Sequence, residues 1–183
     1  MTRSIHILNA TSLPANDLEY LSRSVEGVFG IAAQMTHSHL ELEKAFDGSR
    51  RQFSSTALLS QIITRADSTP GKFIGLVDVD LFVPILTFVY GEAQFDGRAA
   101  VVSTYRLANQ FYGVEADAVL LRRRLEKEII HELGHTFGLY HCRQFECVMR
   151  SSTYVEEIDL KRHEFCPQCF DYLRRNLDSL LGV

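Results

Sequence analysis

The chain has 183 residues, 46% hydrophobic and 23% charged, which fits one folded domain with a sizeable core and excludes a largely disordered chain. A net charge of −4 counts against a polyanion partner, which would favour clustered lysine and arginine, so no nucleic acid is expected. The longest strongly apolar stretch, residues 81–90, is broken by Pro84 and is far short of the roughly 20 residues that span a bilayer, so no membrane segment is expected.

Residues 4–10 suit a strand, residues 14–29 a helix with Pro14 early and Gly30 past its end, and residues 31–36 a second strand. The amino terminus carries only a short apolar patch, where an export signal needs about 7 to 15 apolar residues, so a cytoplasmic location is expected. Ser54 or Ser55 can cap a helix running to about Ala66, with Leu58, Leu59, Ile62 and Ile63 at helical spacing. After Pro70-Gly71, residues 73–78, 88–94 and 99–105 read as strands, the last two joined through Asp96-Gly97, a hairpin signal. Asp78 and Asp80 lie on one strand face, where loop solvation or helix capping outweighs metal ligation. Arg122, Arg123 and Arg124 open the next helix and read as a solvated face. That helix covers residues 116–140, and a last one covers residues 167–181 with Phe170, Leu173, Leu177 and Leu181 as its apolar stripe. The pattern predicts an α+β fold, a mixed twisted sheet flanked by helices, in one domain: an N-terminal subdomain over residues 1–138 and a C-terminal one over 139–183.

The most informative window begins at His131-Glu132-Leu133-Gly134-His135. Each helical residue advances about 100°, so two histidines four apart reach one cation from the same face. Glu132 projects beside the pair, placed to take a proton from water without ligating the metal. Gly138 can end the helix in a left-handed conformation and turn the chain, returning His141 to the same ion. Three neutral imidazoles leave a fourth position open, the mark of a catalytic zinc, and hydrolysis is the chemistry that follows.

Cys142, Cys147, Cys166 and Cys169 are all the cysteines of the chain. Four thiolates make a closed, structural zinc site that adds folding energy and no reaction. Two disulfides are the rival pairing, a redox pair at Cys166-Pro167-Gln168-Cys169 is a further one, and His163 is a substitute ligand three residues before Cys166. A reducing compartment favours thiolate zinc. His6, His37 and His39 lack partners at ligand spacing.

The extended HExxHxxGxxH over residues 131–141 resembles the zinc-binding consensus of the metzincin metallopeptidases, and the cysteines behind it resemble the archaemetzincin branch. The resemblance implies a metzincin fold and two Zn²⁺ per chain: a catalytic zinc on His131, His135 and His141, and a structural one on the four cysteines. It also implies Glu132 as general base and acid, and Met149 as the Met-turn residue beneath the catalytic metal, where its own chemistry marks only a soft packing residue. The metzincin tyrosine two residues after the methionine is missing, since Ser151 stands there, and Tyr154 is too displaced to replace it. The same resemblance implies a strand at the cleft rim that takes extended substrate as an added antiparallel strand, here assigned to residues 88–94, with a covered interior strand as the rival reading of that segment. Zinc-dependent cleavage of peptide or protein substrates is the expectation; a catalytically silent or gated two-zinc peptide-binding module is the alternative, and a peptidase for DNA-attached proteins is disfavoured by the acidic balance.

Overall fold

Strand β1 (Ser4–Asn9) leads through helix α1 (Ala15–Phe29) into β2 (Ala33–His37), and the two strands pair in parallel with α1 as the crossover. The structure, a computed structural model, describes residues 4–66 and 69–181, with side chains as far as Leu177. Gly30 closes α1 at φ 65°, its N–H reaching the Glu26 carbonyl, as a glycine just past a helix end should. The chain continues through β3 (Phe46–Asp47), β4 (Gln52–Ser54), α2 (Ser55–Ala66), β5 (Gly71–Val77), β6 (Leu81–Phe82), β7 (Gly91–Ala93) and β8 (Ala99–Ser103). Helices α3 (Ala118–Thr136), α4 (Val155–Leu160) and α5 (Pro167–Leu181) complete it.

Among the described residues the main sheet has the order β2-β1-β5-β8-β7, parallel except for the β7–β8 hairpin. Its two faces follow the period of two in the apolar runs. Ile5, Ile7, Ile74, Leu76, Ala100 and Val102 pack with α1 and α3, whereas Leu8, Phe73, Val77, Ala99 and Val101 pack with Leu58, Leu59 and Ile62 of α2. A sheet covered on both faces explains why β8 is apolar at consecutive positions. Ile63 is only partly buried, and Phe170 is 43% exposed, while Leu173 and Leu177 join the core; the Leu181 side chain lies outside the described residues.

Several expectations need correction. The strand expected over 88–94 pairs regularly only at Gly91–Ala93, with Val89 bridging Leu81, because the preceding residues turn through Pro84. The helix expected over 116–140 starts at Ala118, where the Asp117 carboxylate accepts the Leu120 N–H, and stops at Thr136. The arginine run is not a solvated face. Arg124 is buried and grips Asp159 with Nε and Nη2 at 2.8 and 2.7 Å, and Arg122 pairs with Asp17 at 2.9 Å, leaving Arg123 exposed. Asp80 is neither a loop solvator nor a cap, since it pairs with Arg106 and accepts from Gln52. The short sheet β3-β4-β6 and helix α4 carry no periodic pattern long enough to announce them.

Candidate metal centres

Helix α3 lies against β8 and α1, and its last turns are buried by apolar neighbours, so His131 and Glu132 sit in a low-dielectric wall, 5% and 6% exposed. His131 Nδ1 is 2.8 Å from the Val148 carbonyl, and His135 Nδ1 is 2.7 Å from the Leu139 carbonyl. A carbonyl only accepts, so each Nδ1 carries the proton and each Nε2 presents a lone pair. Those two lone pairs face each other at 3.1 Å. Alone they repel; a cation between them resolves the contact. Zinc–nitrogen bonds of about 2.0–2.1 Å at tetrahedral angles put ligand nitrogens about 3.4 Å apart, close to what is found.

Gly138, at φ 81°, reverses the chain after α3. The turn brings the His141 ring to 5.3 Å from His131 and 4.9 Å from His135, centroid to centroid, and one ligand atom from each of the three histidines lies within 4.8 Å of the others. Burial pushes the His131 pKa well below the ordinary histidine value and lowers those of His135 and His141, so all three are held in the neutral, metal-binding form. Burial, with Glu128 nearby, raises the Glu132 carboxyl well above the usual range. Glu132 lies against β7: a Cβ on Gly91 would stand 2.7 Å from its Cγ and 2.9 Å from Oε1. A cleft of about 320 Å³ runs alongside, lined by Leu86, Tyr90, Glu132, His131, His141 and Ser151 among others.

The four sulfurs form a second cluster beside the first, again within 4.8 Å of one another, and His163 lies outside it. Cys142 and Cys166 Sγ are 3.7 Å apart and all four cysteines are free. A disulfide needs about 2.0 Å, whereas a tetrahedral zinc with bonds of about 2.3 Å separates its sulfurs by about 3.8 Å. The Gln144 and Cys166 N–H groups point at Cys142 and Cys147 Sγ, each at 3.4 Å, as suits thiolates. The donor sets of both clusters therefore fit zinc.

Met149 is fully buried beneath α3, and a Cβ on Gly134 would come within 2.5 Å of its sulfur. His6 is spent on Ser4 and on stacking with Phe73. Residues without a signal in the sequence also shape the site: Gly134 at a variable position of the motif, Gly91 on the strand, and Lys161 and Glu128 behind His131. A close approach or a buried ion pair leaves no spacing to recognise.

A sheet-backed helix with two histidines, a third returned by a glycine turn and a buried carboxyl beside them defines the class, a zinc metallopeptidase. The family model of peptidase family M54 matches residues 43–175. The archaemetzincin of Pyrococcus abyssi is 36% identical over 183 residues, 97% of each chain. The crystal structure of archaemetzincin from Methanopyrus kandleri superposes with a TM-score of 0.84 at 33% identity, covering 96% of both chains. A zinc-dependent peptidase from Methanocorpusculum labreanum gives 0.84 at 29% identity, over 92% of this chain and 99% of its own. The chain belongs to peptidase family M54, the archaemetzincins.

Proposed function

We propose that this chain is a two-zinc peptidase, with His131, His135 and His141 holding the catalytic ion and Cys142, Cys147, Cys166 and Cys169 a structural one. The facing Nε2 atoms of His131 and His135, each fixed by a carbonyl on the opposite ring nitrogen, carry this reading. When bound, zinc supplies a Lewis acid that polarises the scissile carbonyl and acidifies the attacking water. Glu132, buried and therefore basic, accepts the proton of that water and delivers it to the leaving amine nitrogen. Met149 fills the space beneath Gly134 and holds the floor of the site, the part that a Met-turn plays.

Substrate alignment falls to β7, the edge of the sheet. Tyr90, Glu92 and Gln94 face β8, so the backbone groups of Gly91 and Ala93 point to the free edge, where an extended peptide adds as a strand whatever its sequence. Among the described residues no helix is long and apolar enough to cross a membrane. Peptides or proteins are the substrates of this reading, a reducing cytoplasm is its compartment, and residues 1–183 act as one domain.

The test is mass-spectrometric cleavage profiling of a diverse peptide library by zinc-loaded protein beside Glu132→Ala. Cleavage by the wild type alone is expected. Equal cleavage by both removes Glu132 from the mechanism, and binding without turnover by either favours a gated peptide-binding module.

A further inference from the structure

Lys161 is a cation inside the protein. It follows α4, its side chain is 1% exposed, and its ammonium meets three acceptors: Glu128 Oε1 at 3.2 Å, the Arg150 carbonyl at 3.0 Å and the Val148 carbonyl at 3.4 Å. An ammonium has three donors, so this group is fully used. The acceptors come from different parts of the site. Glu128 sits on α3 three residues before His131, and Val148 and Arg150 flank Met149. The Val148 carbonyl is also the group that accepts from His131 Nδ1 at 2.8 Å.

We propose that Lys161 is a positioning residue for the histidine metal site, clamping the turn around Met149 to α3 so that the Val148 carbonyl holds the His131 ring in its ligating orientation. Packing alone does not require the charge. A buried ion pair is commonly replaced by apolar groups at little or no cost in stability, whereas the partner that orients a metal-ligating histidine typically contributes about 10- to 100-fold in metal affinity. Methionine matches the lysine stem in length and removes only the donors. Glu128 belongs to the same device: its carboxylate neutralises the ammonium, and paired replacement avoids leaving either charge alone.

The inference rests on His131 as a zinc ligand, so the experiment measures both. Full-length protein is stripped of metal and titrated with Co²⁺; the thiolate charge-transfer bands and the d–d bands that accompany them report the cysteine cluster, and the further d–d bands that disappear in His135→Ala report the histidine cluster. Wild type, Lys161→Met and Glu128→Gln/Lys161→Met are compared, with thermal midpoints recorded alongside. The double variant is expected to keep the thiolate bands and a midpoint near that of the wild type, while its affinity at the histidine site falls by about tenfold or more. Wild-type affinity and d–d bands at that site in both variants overturn the proposal. So does a parallel loss of both sites together with the midpoint, which marks Lys161 as a folding residue only. A wild type that binds cobalt through thiolates alone sinks the three-histidine reading itself, and this inference with it.

Discussion

His141 and Cys142 are consecutive in the chain and serve different clusters: the His141 ring stands 5.3 Å from that of His131, while Cys142 Sγ stands 3.7 Å from that of Cys166. The Cys142 N–H also bonds the Met149 carbonyl at 2.9 Å, tying this junction to the residue beneath α3. In the two-zinc reading proposed above, the cysteine cluster anchors the third histidine. Cys169→Ser is expected to lower zinc content from two ions toward one or none and the thermal midpoint by about 10 °C or more, since a structural zinc contributes several kcal/mol and each is about 2–4 °C in a chain of this size. Elemental analysis beside calorimetry checks this; two zinc ions at an unchanged midpoint would refute the anchoring role.

Gly134 faces Met149 so closely that an added methyl would lie 2.5 Å from the sulfur and 3.3 Å from Phe165 Cε1. Alanine is the better helix former by about 1 kcal/mol, yet overpacking costs about 1–3 kcal/mol. Gly134→Ala is therefore expected to destabilise, and the loss should shrink when Met149→Ala makes room in the double variant. Chemical denaturation of the four forms settles it, and a Gly134→Ala variant more stable than wild type would show that the helix bottom has slack.

The convergence of His131, His135 and His141, and of the four cysteines, is legible in the sequence because side chains that meet at one point need fixed spacing, which only a few separations on a helix and a turn allow. The central strands β5 and β8 are legible because they lie between helical layers and read as apolar runs. Arg124 shows where legibility ends. Its partners Asp159, Leu107 and Asn109 lie 35, 17 and 15 residues away, and nothing in a run of three arginines says which one turns inward. Lys161 is hidden in the same way, and β7 is blurred because an edge strand of three residues is too short to show alternation.

The arginine run gives a sharp contrast. Arg124, 5% exposed, holds the Asp159 carboxylate, the Leu107 carbonyl and Asn109 Oδ1. Arg124→Ala is expected to cost about 2–3 kcal/mol, below the about 3–5 kcal/mol for fully buried pairs because the Asp159 side chain is 31% exposed. Arg123→Ala, at an exposed position, should stay within about 0.5 kcal/mol of wild type. Urea midpoints of the two variants measured together decide this, and similar values for both would mean that the run is a solvated face after all.

Gly91 lies where the edge strand meets the proposed base. A Cβ there would stand 2.6 Å from the Val101 carbonyl oxygen, 2.7 Å from Glu132 Cγ and 2.9 Å from Oε1. The carbonyl belongs to the neighbouring strand and yields little, so β7 itself has to shift away from it, and the Glu132 side chain packed against β7 moves as well. A displacement near 1 Å at a catalytic group can lower turnover by about 100-fold. Gly91→Ala is expected to keep both zinc ions, because no metal-ligating group touches the new methyl, and to lose kcat by about 10- to 100-fold. Steady-state kinetics on a peptide found by the cleavage profile, run beside metal analysis, separates the alternatives. An unchanged kcat means that Glu132 acts from another position, and a lost catalytic zinc means that β7 supports the ligands as well as the base.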